Sequence, residues 1–212
     1  MRKDFFIALD SLRFIVPLAI LLVVAGYFGA YGIGLVLLLL LAFVIWFFRN
    51  PERVAPPQEN ALISPADGEV IKIEEVEEND LLKTKCQVVC IFMNVFNVHV
   101  NRNICSGVVK QIKYYPGKFL VASLDKASSL NERNAVLIER EDGARFVVVQ
   151  IAGLIARRIA CWVREGDAVK KGERYGLIRF GSRLDVYLPL ETKIPLKVGD
   201  KVSAGVTIIG VL

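Results

Sequence analysis

The hydrophobic pattern divides the chain into two unlike parts. From Phe14 to Phe48 no charged residue interrupts a run of mostly aliphatic and aromatic side chains, which is longer than the roughly 20 residues that cross a bilayer once. One straight helix of that run would be about 50 Å long at ~1.5 Å per residue, overshooting a hydrocarbon core of about 30 Å. Gly26, Gly29, Gly32 and Gly34 break it near the middle, where Tyr27 and Tyr31 suit an interface. The pattern predicts a membrane anchor over residues 1–48, favoured as a helical hairpin. One tilted span with an interfacial extension is the alternative, and a cleaved signal peptide is disfavoured because the apolar run far exceeds a signal core. Pro51, Pro56 and Pro57 then stop any helix and mark a linker at 49–60. From residue 61 the pattern becomes that of β structure. Residues 71–74 and 108–114 alternate, 87–93 form a buried run, and further strands are expected at 135–139, 146–151, 159–163 and 206–212. Only 122–134 lacks strand character and reads as a loop or short helix.

Composition sharpens this picture. Of 212 residues 54% are hydrophobic, high for a soluble protein, and the excess lies in the anchor. Arg2, Lys3 and Arg13 precede the apolar run and Arg49 and Arg53 follow it, which places both ends of a hairpin, and the domain after it, on the cytoplasmic side of the cell membrane. The net charge of +5 suits a domain held against anionic headgroups. No dense basic stripe with interleaved aromatics argues for nucleic acid. Cys86, Cys90, Cys105 and Cys161 show no Cys-x-x-Cys spacing and His99 is the single histidine, so no metal site is expected and the thiols read as reduced core residues. In the last third, Gly-Asp-Ala-Val-Lys-Lys-Gly at 166–172 and Gly-Asp-Lys-Val-Ser-Ala-Gly at 199–205 repeat one another. The repeat is similar to the half-motif of lipoyl and biotinyl carrier domains and predicts a small β sandwich or barrel made of related halves.

Between the two copies lies Arg-Phe-Gly-Ser-Arg at 179–183. Most Gly-Ser pairs mark turns, but Leu177, Ile178, Leu184, Val186 and Tyr187 flank this one, so it interrupts extended chain. Glycine there permits a backbone geometry that other residues resist, and such strain collects at functional sites. A serine so placed has a distinctive chemistry open to it. Its hydroxyl attacks the preceding carbonyl and moves the Gly181 acyl group from nitrogen to oxygen. Removal of the Ser182 α-proton then eliminates the ester, and loss of ammonia leaves an N-terminal pyruvoyl group, an electrophile no standard side chain supplies.

The chain resembles the short-form phosphatidylserine decarboxylase proenzymes, which cleave themselves at a Gly-Ser bond. Motifs carrying the resemblance run along nearly the whole chain: Phe-Arg-Asn-Pro-Glu-Arg at 48–53, Ser-Pro-Ala-Asp-Gly at 64–68, Phe-Asn-Val-His-Val-Asn-Arg at 96–102, Asn-Glu-Arg-Asn at 131–134, Gln-Ile-Ala-Gly at 150–153, Ala-Arg-Arg-Ile at 156–159 and the Gly-Ser stretch itself. The resemblance implies a mainly β catalytic domain at 61–212, cut between Gly181 and Ser182 into a β chain (1–181) and an α chain (182–212) that stay together as a heterodimer. It implies a pyruvoyl cofactor made from Ser182, which captures the amine of phosphatidylserine in the membrane as a Schiff base, releases CO2 and leaves phosphatidylethanolamine. It also implies a catalytic triad of Asp67, His99 and Ser182, the carboxylate fixing the imidazole tautomer and the imidazole moving protons near neutral pH.

Long-form enzymes carry a second histidine where Phe96 stands here, so that residue's role has no counterpart. Arg102, Arg133, Arg157 and Arg158 lie in the motifs and are candidates to hold the lipid phosphate. Phe96, with Phe92 and Val98, is a candidate to line a dry pocket. The apolar residues at 119–121 are placed either to dip toward lipid or to be buried strand. Two other functions remain open: an archaeal counterpart acting on an ether-linked serine lipid, and a membrane-anchored carrier or adaptor modified on Lys193.

Overall fold

A computed structural model describes residues 6–123, 127–154, 158–179 and 181–212. They fall into two compact units, Met1–Glu52 and Arg53–Leu212.

In the first unit a 3-10 turn at Leu9–Ser11 leads into α1 (Leu12–Tyr27), and α2 follows at Tyr31–Phe47. Gly29 turns the chain between them at φ +66°, a left-handed geometry that costs glycine little. The far ends are tied together, with the Ala8 N–H donating to the Phe48 carbonyl at 2.9 Å and the Asn50 N–H to the Phe6 carbonyl at 2.7 Å. Beyond Arg13 in the first turn of α1, both helices are apolar on every side, as lipid rather than water favours, and Val23, Ile33 and Leu39 are exposed. Leu9–Tyr27, at 19 residues, is long and apolar enough to cross a membrane, whereas Tyr31–Phe47 is shorter.

The second unit is mainly β: β1 (Ala61–Ile63), β2 (Gly68–Glu78), β3 (Thr84–Met93), β4 (Val100–Arg102), β5 (Gly107–Tyr115), β6 (Arg133–Glu139), β7 (Arg145–Ala152), β8 (Ile159–Cys161), β9 (Ala168–Val169), β10 (Arg174–Ile178), β11 (Ser182–Leu188), β12 (Lys201–Val202) and β13 (Ile208–Val211), with one helical turn, α3, at Ala127–Leu130. Eight strands form an antiparallel curled sheet in the order β12-β2-β3-β11-β7-β6-β5-β9; β4-β10-β8 and β1-β13 form smaller sheets. One face of the large sheet carries the main core, including Val89, Ile91, Met93, Val136, Ile138, Val148, Leu184 and Val186. The opposite face of β6 and β7 packs Ala135, Leu137, Val147, Val149 and Ile151 against Ala127. Burial on both faces explains why β7 reads as a run of apolar residues broken by Gln150 alone between Phe146 and Ala152, instead of alternating.

The Gly-Asp repeat is matched bond for bond. The Arg164 N–H donates to Asp167 Oδ2 and the Lys197 N–H to Asp200 Oδ2, each at 2.8 Å. Gly166 and Asp167 exchange hydrogen bonds with Val109 as Gly199 and Asp200 do with Val70. The strands that follow, β9 and β12, close the two edges of the large sheet. Asp67 Oδ1 accepts from the Ala204 N–H at 2.8 Å, and Ser106 Oγ accepts from the Lys171 N–H at 3.0 Å in the same place of the other half. Of these two matching positions one bears a carboxylate.

Candidate active site

β10 ends at Ile178 and β11 begins at Ser182. Gly181, just before β11, has φ +68° with nothing within 4 Å of where a Cβ would stand, so backbone conformation rather than space demands glycine. Ser182 is fully buried and sits between two strands, opposite Met93 of β3 and Ala152 of β7. Side chains alternate along a strand, so Ser182 shares the core face with Leu184, Val186 and Leu188, while Arg183, Asp185 and Tyr187 point the other way. Ser182 Oγ donates to the Met93 sulfur at 3.4 Å, a weak acceptor.

The same sulfur lies 3.9 Å from Asn101 Nδ2. Asn101 Oδ1 accepts from Gln150 Nε2 at 2.8 Å, and Gln150 Oε1 accepts from Asn134 Nδ2 at 3.1 Å. A line of three buried amides from β4, β7 and β6 thus ends on the sulfur that holds Ser182, and each amide fixes the orientation of the next.

His99 is buried, with Nδ1 3.0 Å from the Asn97 carbonyl. With Nδ1–H donating to that oxygen, Nε2 carries the lone pair a base needs. Its own carbonyl accepts from the Ile178 N–H at 3.3 Å, which ties it to the end of β10, three residues before Gly181. Asp67 does not make the hydrogen bond to His99 that the sequence led us to expect. Its carboxylate accepts from both terminal nitrogens of Arg53, from the Ala204 N–H at 2.8 Å and from the Val98 N–H at 3.4 Å. A two-pronged guanidinium plus two backbone donors saturate a carboxylate. Asp67 therefore reaches the histidine segment through the main chain at Val98. Arg53, in the stretch read as linker, also donates to the Ala204 carbonyl at 2.8 Å.

The sequence profile of the family described as phosphatidylserine decarboxylase matches residues 40–210. A phosphatidylserine decarboxylase proenzyme of Syntrophus aciditrophicus (strain SB) is 53% identical over 211 residues, covering 99% of both chains. The proenzyme of Magnetococcus marinus is 46% identical over 211 residues, covering 99% of this chain and 97% of the relative. This chain belongs to the phosphatidylserine decarboxylase family.

Within that family frame the arginines separate. Arg102 is buried, donates from Nη1 to the Gly172 carbonyl at 2.8 Å, and lies so close to Gly205 that a Cβ there would meet Arg102 Cδ at 2.6 Å. The Arg133 guanidinium stacks 4.2 Å over the Tyr115 ring. Arg158 is exposed, and Arg157 lies outside the described residues. Phe96 is 68% exposed at the tip of the turn joining β3 to His99, so it packs in no core; Val98 is buried, Phe119 packs on the main core, and Val121 is exposed.

On the far side of β11 from Ser182, Arg183 Nε donates to Asp185 Oδ1 at 2.6 Å with both side chains almost wholly buried. Arg183 Nη2 lies 2.8 Å from the Cys90 sulfur, and Ser128 Oγ donates to Asp185 Oδ2 at 2.8 Å. Burial, and then the Asp185 charge, push the Cys90 thiol far up; burial pushes Cys105 up to about 12. Both stay protonated near neutral pH and neither is a nucleophile.

Sequence reasoning missed four parts of this site: Arg53, Met93, the amide line and the close approach at Gly153 described below. Arg53, Gly153 and the amides Asn101, Asn134 and Gln150 stand in motifs already noted, which was the available signal. Met93 gave none, and the meeting of the amides with it depends on strand register.

Proposed function

We propose that this chain is the proenzyme of a phosphatidylserine decarboxylase that cuts itself between Gly181 and Ser182. The observation that supports this most directly is the pairing of a left-handed Gly181 with a buried serine held at the start of a central strand. In the cut, Ser182 Oγ bonds to the Gly181 carbonyl carbon, the bond from that carbon to the Ser182 nitrogen breaks, and the hydroxyl proton ends on the freed nitrogen. Loss of the α-proton and of the Gly181 carboxylate then leaves an unsaturated residue, which hydrolyses with release of ammonia to a pyruvoyl end. The pyruvoyl group supplies an electron-withdrawing ketone that takes up the electrons freed as carbon dioxide leaves the serine headgroup.

His99 is the base we assign to the cut, and Asp67, clamped by Arg53, holds the segment that carries it. β11 is hydrogen-bonded on both sides, to β3 and β7, so after the cut the chain 182–212 remains part of the sheet as a heterodimer with 1–181. The apolar helices support a protein held at the cell membrane, and the flanking basic residues support a catalytic unit on the cytoplasmic side. Among the described candidate arginines Arg158 is the exposed one, and it is the one we assign to a lipid phosphate. The matched Gly-Asp turns support a domain built from two related halves similar to the half-motif of lipoyl and biotinyl domains.

Intact mass of the full chain purified from detergent tests the reading. Two species are expected, residues 1–181 and residues 182–212 with a blocked keto end, together with CO2 release from phosphatidylserine vesicles. A whole chain with added mass on Lys193 would instead identify a carrier, and turnover confined to an ether-linked serine lipid the archaeal activity. His99→Ala is expected to accumulate uncut chain; normal processing and turnover in that variant would remove His99 from the chemistry.

A further inference from the structure

Gly153 is demanded by space rather than by conformation. Its φ lies outside the left-handed region, yet a Cβ on it would stand 2.3 Å from the Gly181 carbonyl oxygen, 3.1 Å from the Gly181 carbonyl carbon and 3.3 Å from Ala122 Cβ. Other crowded glycines, such as Gly107 against the Glu139 carbonyl at 2.4 Å, meet carbonyls remote from any reacting bond. The obstacle at Gly153 is the carbonyl of the bond to be cut.

The surroundings of Gly153 are pinned. The preceding residue, Ala152, is the strand partner of Ser182 and is fully buried. Its N–H donates to the Glu132 carbonyl at 2.9 Å, and its own carbonyl accepts from Asn131 Nδ2 at 2.8 Å. Asn131, buried as well, brackets Leu120 with two further hydrogen bonds of 2.9 Å. With one side held by Asn131 and Ser182 held by two strands, the Gly181 carbonyl is the part free to yield.

We propose that Gly153, backed by Asn131, is the seat that aims the Gly181 carbonyl at the attacking Ser182 hydroxyl, a positioning residue for the first step of self-cleavage. The inference rests on the cut falling between Gly181 and Ser182. A methyl group at 153 must push the oxygen from 2.3 Å to an ordinary contact of at least 3.4 Å, a displacement of about 1 Å. An error of about 1 Å in attack geometry costs on the order of 100-fold in rate.

The test follows chain cutting over time by intact mass in the full-length protein, for wild type, Gly153→Ala and Gly107→Ala. The last introduces a like overlap away from the bond and controls for lost stability. Each sample is also treated with hydroxylamine, which severs an ester but not the amide. Expected are wild-type cutting in Gly107→Ala and cutting slowed about 100-fold in Gly153→Ala, which melts cooperatively and yields no hydroxylamine-released fragment because the ester never forms. Wild-type cutting in folded Gly153→Ala, or a hydroxylamine-sensitive ester accumulating in it, overturns the proposal. Should Gly153→Ala not fold, Asn131→Ser removes the bracket without adding bulk; slowed cutting with no ester is expected there, and unchanged cutting overturns the seat. A wild-type chain never cut after Gly181 removes the cleavage reading and the seat with it, whereas a normally cut wild type beside a normally cut Gly153→Ala sinks the seat alone.

Discussion

Ser182→Ala is expected to run as one chain of residues 1–212 and to release no CO2 from phosphatidylserine above the uncatalysed background. The substitution removes one oxygen and keeps the Cβ that packs between β3 and β7. What is lost structurally is a 3.4 Å contact to a thioether, worth at most about 1 kcal/mol, so the variant should melt within a few degrees of an uncut wild-type precursor. Chemically the loss is complete. Among the described residues no other hydroxyl or thiol follows a left-handed glycine, and the thiols of Cys90 and Cys105 are held protonated by burial. Intact mass, a CO2 assay and a thermal melt on the same preparation check all three statements. A cut chain, or activity in the uncut one, would mean that residue 182 is not the source of the electrophile.

How far the sequence alone reaches depends on the range of the interactions involved. Elements set by local period were legible: 71–74, 87–93, 108–114, 135–139 and 146–151 all lie in strands, and the stretch 122–134, expected to lack strand, holds α3 at Ala127–Leu130 but gives its last two residues to β6. The ends were less so. The strand expected at 159–163 stops at Cys161, and that at 206–212 is confined to 208–211, because those ends are set by partner strands. The left-handed turn at Gly181 could be read because a glycine there interrupts extended chain. Ser182 and His99 are both buried, and the chemistry given to them is our proposal.

Asp67 shows the limit of local reading. The resemblance implies His99 as its partner, while the guanidinium that clamps it comes from Arg53, among prolines that look like a tether. Nothing in the proline spacing reveals that the segment folds back onto the Ser-Pro-Ala-Asp-Gly turn. The line Asn134, Gln150, Asn101, Met93 was invisible for a similar reason. Its members lie on β6, β7, β4 and β3, and the line from Asn134 through Gln150 and Asn101 to the sulfur forms only once the registers of those strands are fixed.

Asp185→Ala is expected to destabilise the uncut chain by about 3–5 kcal/mol, the range found when one partner of a buried ion pair is removed. Arg183 and Asp185 are 3% and 2% exposed, and the Arg183 guanidinium would be left buried without its carboxylate, facing a protonated thiol at Cys90. Against a total stability of about 5–15 kcal/mol, that loss is enough to lower yield and the urea midpoint sharply. The double variant Arg183→Met with Asp185→Leu should recover most of it, since no bare charge then remains and the volume is kept. The pair also bears on function. With the proposed cut after Gly181, Arg183 would be the second residue of the new chain, and its anchorage to Cys90 and to Asp185, itself bonded by Ser128, would hold the fresh end in the strand. The double variant should therefore fold well yet show a more mobile end, seen as faster amide hydrogen exchange at 183–185 in the cut protein and a lower turnover than wild type. Equal exchange and turnover in the two would confine the pair to stability alone.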